Sequence, residues 1–289
     1  MKFVLSGAFA PVANLSALAV AADQHGWEMI SLSDHTVNPE TIKTPYPYTP
    51  DGKRRWPEFT EWPDQLVMMG AFAPITKRLR FTTNAFVLPL RNPFLVAKAL
   101  ATLSVISGNR VTLTIGVGWS KDEFQYLGQD FSTRGRRTDE MVEVMRTLWS
   151  GKYVSFQGEF WSFDRVEMNP PPAGPIPLWV GGISDAALKR AARLGDGWLT
   201  DWQSTDDIAR DIGKIRDWHR DYGRPAEFDV MAMPSDAFDY DSYRRLEDKG
   251  VTHVLTAPWH FYHADDPLNP QKQVDSVKRY ADEMIARFA

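Results

Sequence analysis

The segment from Leu79 to Phe124 constrains the fold more than any other part of the sequence. Leu79–Leu88 is rich in β-branched and aromatic residues and is followed by proline, which is typical of a strand. Phe94–Ile106 repeats apolar residues at helical spacing, and Val111–Val117 is a continuous apolar run. A strand, a crossover helix and a second apolar strand form a βαβ unit with buried parallel strands. Because ligands gather at the carboxyl ends of such strands, we expect one site between the segments that follow these two strands.

The alternation of strands and helices continues along the whole chain. Strand-like segments begin near Phe3, Met29, Leu79, Val111, Leu178, Trp198, Phe228 and Thr252. Helical patterns separate these eight segments, which predicts an α/β fold of the (β/α)8 TIM-barrel type, with residues 1–289 forming a single domain. Val154–Glu167 alternates like a hairpin and is expected as an insertion after the fourth helix. The alternative is a doubly wound sheet, which is disfavoured because no Gly-rich dinucleotide fingerprint follows the first strand.

Composition narrows the classes of function that the chain can have. The 289 residues carry a formal net charge of −4, which argues against nucleic acid or an anionic membrane as a general partner. Cysteine is absent, so thiolate catalysis and cysteine-held metal centres are excluded. The N-terminal sequence MKFVLSGAFAP has too short an apolar run for a signal peptide, and no segment reaches the roughly 18 apolar residues of a membrane span. We therefore expect a soluble cytoplasmic protein.

A long connection, Thr36–Glu61, follows the second predicted strand. It is dense in proline and aromatic residues and is much longer than ordinary connections of about 2–6 residues. Its aromatic content favours an ordered loop that covers a pocket.

Asp34 and His35 stand at the start of this connection, where the second strand should deliver them to the catalytic face of a barrel. A histidine there can donate or accept a proton near neutral pH. The adjacent Asp34 can hold the imidazole ring or cap the next segment. The alternative is a turn in which Asp34 bonds the backbone and His35 is merely packed.

Two glycine-containing segments follow predicted strands. They are Gly118–Trp119–Ser120 and Gly181–Gly182, the second of which precedes Ser184 and Asp185. Glycines let a flat ligand approach the backbone, and free N–H groups at a helix start favour phosphate. Since the charge of Asp185 opposes a phosphate, a plain N-cap at Ser184 is the alternative.

Two further groups of charged or metal-binding residues stand out. Arg134, Arg136 and Arg137 lie at a predicted helix start, where positive charge opposes the helix dipole, so they indicate either a bound anion or a solvated face. His260 and His263 follow the eighth strand at a spacing that permits a metal pair on a helix. With no third ligand nearby, we expect no metal site.

Together these segments resemble the bacterial-luciferase-like flavin and deazaflavin oxidoreductases. The resemblance rests on SLSDHT, on the run from LPLRNP to EFQYLG, and on RGRRTDEMVEVMRTLW, FQGEFWSF and PLWVGGISDAALKRAARLGDGW. It covers residues from about Met29 to Trp202 and implies a (β/α)8 barrel that binds FMN or the deazaflavin coenzyme F420 at its carboxyl face. The loop sequence PYPYTPDGKRRW is similar to the branch assigned to F420.

The resemblance also implies roles for individual residues. His35 would take part in proton transfer, with Asp34 beside the cofactor ring and orienting His35. A bulge in the third strand would back the ring, with a non-prolyl cis peptide on one side or the other of Ala85. The implied cofactor contacts are Asp34, Asn84, Ala85, Phe86, Gly118, Trp119, Ser120, Gly181, Gly182, Ser184 and Asp185.

The function that this resemblance implies is an F420-dependent oxidoreductase, which transfers a hydride between the deazaflavin and a small organic substrate. An FMN-dependent monooxygenase and a non-catalytic flavin-binding protein are the alternatives. Sugar-phosphate dehydrogenases of the family have a glutamate in the position of Lys121, and no phosphate clamp is evident, so a sugar phosphate is not the expected substrate. A homodimer is expected, because family members commonly pair through helices beside the second and third strands, here Leu66–Phe72 and Leu95–Leu103.

Overall fold

A computed structural model describes residues 1–225 and 227–288 of the chain. The strands are β1 Lys2–Ser6, β2 Met29–Leu32, β3 Arg80–Thr83, β4 Phe86–Val87, β5 Leu113–Gly116, β6 Val154–Gln157, β7 Ser162–Val166, β8 Leu178–Gly181, β9 Gly197–Leu199, β10 Asp229–Ala232 and β11 His253–Thr256. The helices are α1 Val12–Gln24, α2 Gln65–Phe72, α3 Pro93–Ser107, α4 Lys121–Tyr126, α5 Arg134–Leu148, α6 Asp185–Leu194, α7 Thr205–Asp221, α8 Tyr240–Lys249, α9 Trp259–Tyr262 and α10 Pro270–Glu283.

Nine of these strands form one parallel sheet in the order β3-β2-β1-β11-β10-β9-β8-β5-β4. The sheet closes on itself because β3 and β4 are two halves of the third barrel strand. The amide of Phe81 in β3 donates to the carbonyl of Arg110 at 2.8 Å, and the amide of Thr112 donates back to Phe81 at 2.9 Å. The predicted (β/α)8 barrel is therefore confirmed, with its third strand divided in two.

The division falls at the Asn84–Ala85 peptide bond, which is cis although it does not precede proline. The family resemblance implied a bulge here, with a cis bond either before or after Ala85. In the structure the bond before Ala85 is cis. The Asn84 amide still donates to the carbonyl of Leu32 at 2.7 Å, which keeps the break attached to β2.

The barrel interior is filled by large apolar side chains at the level of the strand centres. They are Val4, Met29, Trp179, Leu199, Met231 and Leu255. A second and larger apolar layer lies between the strands and the surrounding helices. This packing makes the interior a solid core and leaves the carboxyl face as the place for a ligand.

Side-chain caps set the starts of the helices around the barrel. Asn92 accepts hydrogen bonds from the amides of Phe94 and Leu95, and Pro93 occupies the first turn of α3. Ser184 caps α6 by accepting from the Ala187 amide, as the sequence indicated. The short helices α4 and α9 were not predicted, because four to six residues carry no readable periodicity.

The predicted hairpin, formed by β6 and β7, lies outside the barrel after α5. A single carboxylate, that of Glu140 in α5, accepts hydrogen bonds from the successive amides of Glu159, Phe160 and Trp161 at its turn. The hairpin is thus attached to the barrel helix without joining the sheet. Across residues 1–225 and 227–288, none of the helices combines the length and the hydropathy that a membrane span requires.

Candidate active site

His35 lies at the carboxyl face, directly after β2, as the sequence predicted. Its side chain is 8 % exposed, and its Nδ1 atom lies 3.2 Å from Oε2 of Glu123. Glu123 belongs to α4, the short helix that follows β5, and its other oxygen accepts from the amide of Thr36 at 2.5 Å. One buried carboxylate therefore holds both the imidazole ring and the backbone at the start of the long loop.

Asp34 makes different contacts from those expected. Its carboxylate accepts from the amide of Val87 at 2.7 Å and forms a two-bond ion pair with the Arg91 guanidinium, with Nη2 at 2.7 Å from Oδ1. The same guanidinium lies 4.3 Å from the ring centre of Phe86. Asp34 thus ties the end of β2 to the second half of the third strand. The contact with His35 that we expected from Asp34 is made by Glu123.

Aromatic rings surround His35. Trp56 in the long loop and Trp62 directly after it lie 5.0 and 4.8 Å from the imidazole centre, and Trp119 lies 5.9 Å away. Tyr46 closes the group by packing on Trp119 at 5.0 Å. The indole N–H groups of Trp56 and Trp62 are buried and bond to nothing among the described residues. The expectation that the long loop is ordered and covers the site agrees with these contacts.

The long loop is attached to the mouth of the barrel at several separate points. Beyond Glu123, Asp122 accepts from the amide of Lys43 at 3.1 Å, also at the start of α4. Two strands further around the barrel, Arg55 donates to Asp201 at 2.8 Å, just after β9. Burial raises the pKa of the nearby Tyr48 phenol to about 12, so this side chain stays neutral. No helix or strand forms in residues 33–64.

Ala85 packs against the apolar residues of the barrel interior and lies between the ends of β5 and β8. A Cβ on Gly116 would approach the Ala85 side chain to 3.4 Å, and one on Gly181 would approach it to 3.3 Å. The two glycines therefore leave the strand ends around Ala85 flat. Gly118 is more constrained, since its φ is +78° and a Cβ there would come within 2.7 Å of Val87. The glycine is needed both for its backbone conformation and for space.

The second glycine segment leads into α6. Gly182 has a φ of +123°, and a Cβ on it would lie 2.9 Å from Ala187. Asp185 points outward and pairs with Lys214 at 2.8 Å. The hydrogen bond and charge of Lys214 hold the pKa of Asp185 below its usual range. The Asp185 charge that was expected to oppose a phosphate is therefore compensated within the chain.

The structure places the remaining predicted site residues as follows. Ser120 is the N-cap of α4 and accepts from the Glu123 amide at 3.4 Å. Arg134 donates to the carbonyl of Gly118 at 3.2 Å, and Arg137 to that of Pro89 at 2.9 Å. These two arginines bond backbone at the mouth of the barrel, whereas Arg136 is exposed and pairs with Glu159, as on a solvated face.

His260 lies in the short helix α9, beyond β11, and His263 is the C-cap of that helix. Within residues 1–225 and 227–288, no three His, Asp or Glu side chains lie close enough together to hold a metal ion.

Comparison with known proteins identifies the family of the chain. The chain belongs to the luciferase-like monooxygenase family, whose model matches residues 3–281. It is 34 % identical over 290 residues to an uncharacterized protein of Mycobacterium tuberculosis, an alignment that covers 99 % of this chain and all of that protein. It is 29 % identical over 272 residues to the F420-dependent glucose-6-phosphate dehydrogenase of Nakamurella multipartita, covering 91 % of this chain and 75 % of that enzyme.

A solved structure shows the same fold. The coenzyme F420-dependent tetrahydromethanopterin reductase of Methanopyrus kandleri superposes with a TM-score of 0.78 over 100 % of this chain and 99 % of that one, at 17 % identity. At this level of identity the likeness concerns the fold alone.

Proposed function

We propose that this chain is an F420-dependent oxidoreductase that transfers a hydride between the deazaflavin and a small organic substrate. The observation that carries the proposal is the buried His35–Glu123 pair, enclosed by tryptophans at the mouth of a luciferase-like barrel. The similarity of the chain to an F420-dependent glucose-6-phosphate dehydrogenase supports the choice of F420 as the coenzyme.

The residues at the mouth fit a flat, polar ring system. The strand ends around Ala85 are flattened by glycine, and the tryptophan N–H groups beside His35 are buried without an acceptor among the described residues. Asn84–Phe86 would back the ring, Gly118–Ser120 would flank it, and the amides at Gly181–Gly182 and at the start of α6, Ser184 and Asp185, would hold the more distant part. The coenzyme, when bound, supplies the ring carbon that gives or takes the hydride.

His35 would move the proton that hydride transfer requires. Since a carboxylate can only accept, the bond between Glu123 and His35 would be donated by Nδ1–H of the imidazole. That bond fixes the ring orientation and leaves Nε2 as the nitrogen that exchanges a proton with a substrate oxygen or carbon. The tryptophans around the ring exclude water from this exchange. Asp34 would act through its bonds to Val87 and Arg91, which set the position of the third strand beneath the ring.

The second candidate is an FMN-dependent monooxygenase, which the family description favours. A non-catalytic flavin-binding protein is the third, and a buried histidine–carboxylate pair at the mouth of the barrel speaks against it. Titration of the purified full-length chain with F420 and with FMN, followed by fluorescence, separates the first two. We expect binding of F420 in preference to FMN. Preferential FMN binding with oxygen-dependent turnover would refute the proposal. F420 binding with no turnover of any ketone, alcohol or enone would favour the non-catalytic flavin-binding protein.

A further inference from the structure

Three consecutive βα connections each place one exposed aromatic side chain on the carboxyl face. Trp202 follows β9, Phe238 follows β10, and Phe261 lies in α9 after β11. They are 54 %, 46 % and 51 % exposed. The rings of Trp202 and Phe238 are 6.2 Å apart, and those of Phe238 and Phe261 are 5.8 Å apart. These three residues, which we call the aromatic strip, form one contiguous apolar surface beside the site already described.

Hydrogen bonds from backbone amides to nearby side chains fix two residues of the aromatic strip. The Trp202 amide donates to the Asp201 carboxylate at 2.9 Å, and Asp201 is in turn held by Arg55. The Phe238 amide donates to the hydroxyl of Ser242 at 3.1 Å, next to the capping box of α8. Single exposed aromatic residues need no explanation, whereas a contiguous, ordered patch marks a binding surface.

An open cleft of about 290 Å³ connects the aromatic strip to the long loop. Ile183, Asp201 and Trp202 line it on the barrel side, and Pro47–Pro50 with Arg55 line it on the loop side. The Arg55 guanidinium is engaged by Asp201 and by the Tyr48 carbonyl. Since Arg55 is the one cation in this lining and is already paired, the cleft suits a neutral ligand and offers no free charge to a phosphate.

We propose that the aromatic strip is the platform on which the substrate binds. The substrate class is then a neutral, largely apolar molecule with a flat ring system, such as an aromatic or unsaturated cyclic ketone. Naming this ligand a substrate rests on the proposed function, whereas its binding to the strip does not. The alternative occupant, a second copy of this chain, is one of the outcomes of the test.

The test uses 2-acetylnaphthalene, a neutral bicyclic ketone, as the probe and the full-length chain without added cofactor. Binding is measured by equilibrium dialysis for the wild type, for Trp202→Ala and for Phe238→Ala. Tyr153→Ala is the matched control, because this aromatic side chain is also exposed, at 61 %, but lies just before the first strand of the outer hairpin. We expect each strip variant to weaken binding about 3- to 10-fold, as loss of one aromatic contact does, while the control binds like the wild type. Circular dichroism confirms that each variant is folded.

Three results would overturn the proposal. The first is unchanged affinity in both strip variants, and the second is displacement of the probe by millimolar glucose 6-phosphate. The third is conversion of a dimer to a monomer by Trp202→Ala in light scattering, which would make the strip an interface between copies. Failure of F420 to bind the wild type would refute the proposed function alone, because the probe measurement needs no cofactor.

Discussion

The Nδ1 atom of His35 lies 3.2 Å from Oε2 of Glu123, although the two residues are 88 positions apart in the chain. One follows β2 and the other follows β5, and both strands pair with the divided third strand, which brings the two residues together. Glu123 also accepts from the amide of Thr36, which starts the long loop. The proposed proton-transfer residue and the cover over it therefore share one support.

Replacing His35 by alanine should lower turnover by about 10²–10⁴-fold, the usual contribution of a general acid–base group. F420 affinity should stay within a few-fold, since the backbone contacts and the third strand would still hold the ring. Stopped-flow oxidation or reduction of F420 measures the first quantity, and fluorescence titration measures the second. Wild-type turnover in this variant, with chemistry rate-limiting, would move the assignment to His260 or His263.

Glu123→Gln should lower kcat by at least about tenfold while leaving F420 affinity nearly unchanged, because the ring of His35 loses its ionised acceptor. Asp122→Asn is the matched control. It weakens the neighbouring bond to the Lys43 amide and so perturbs the loop without touching His35. Steady-state kinetics of both variants separates the orientation of His35 from docking of the loop. Equal losses in the two variants would show that only the loop matters.

Asp34→Ala should lower the free energy of unfolding by about 1.5–3 kcal/mol, because Arg91 and the Val87 amide lose a charged partner. F420 binding should weaken as well, since this pair positions the third strand. Urea unfolding and fluorescence titration measure the two effects. Arg136→Ala, which removes an exposed ion pair with Glu159, should change stability by less than about 1 kcal/mol. An Asp34 variant as stable as this control would contradict the assignment.

We expect a homodimer formed through α2 and α3. The side chains of Val67 and Leu95 on these helices are 71 % and 72 % exposed, so the apolar residues of these segments are not wholly internal. Leu95→Glu would place a charge in the interface and should yield a monomer in light scattering at micromolar concentration. Tyr153→Glu, on the outer hairpin, should leave the mass unchanged. A monomeric wild type would rule the prediction out.

Stability should fall below about pH 6.5 because of His253. This residue lies inside the barrel at the start of β11, where burial, then Lys2, the N-terminus and Arg80, lower its pKa to about 3. The unfolded chain binds a proton near pH 6.5 and the folded chain does not, so the free energy of unfolding falls by about 1.4 kcal/mol per pH unit below that value. Asp229, 3.9 Å from the ring, opposes this effect. Urea unfolding between pH 7 and 5 should show that the free energy of unfolding of His253→Gln depends less steeply on pH than that of the wild type. The same slope in both proteins would disprove the role of His253.

Much of the fold was readable because its determinants are local or periodic. The apolar strand segments, the capping residues and the hairpin pattern all lie within short stretches, and the structure confirms the barrel built from them. The interruption of the third strand between Thr83 and Phe86 depends on contacts with β2 and β5, so strand propensity alone returned one continuous strand.

The candidate site was predictable only in part. His35 follows from its place after a strand, but its partner does not. Ser120 and Glu123 have the spacing of a capping box, S-x-x-E, in which the glutamate side chain would turn back to its own helix start. Here that side chain bonds His35 and Thr36 instead, because β2 and β5 lie on either side of the third strand. The sequence signal was present, but it indicated a different partner.

The long loop contributes no strand to the sheet and no helix to the outer layer. Its attachments are individual bonds at the mouth, among them those of Asp122 and Glu123 on one side and the Arg55–Asp201 pair on the other. We therefore expect the loop to open at a lower free energy than the barrel needs to unfold. Opening the loop would break these bonds and separate Trp56 and Trp62 from His35, but it would leave every barrel strand in place. Access to the site and integrity of the fold can therefore change independently during evolution.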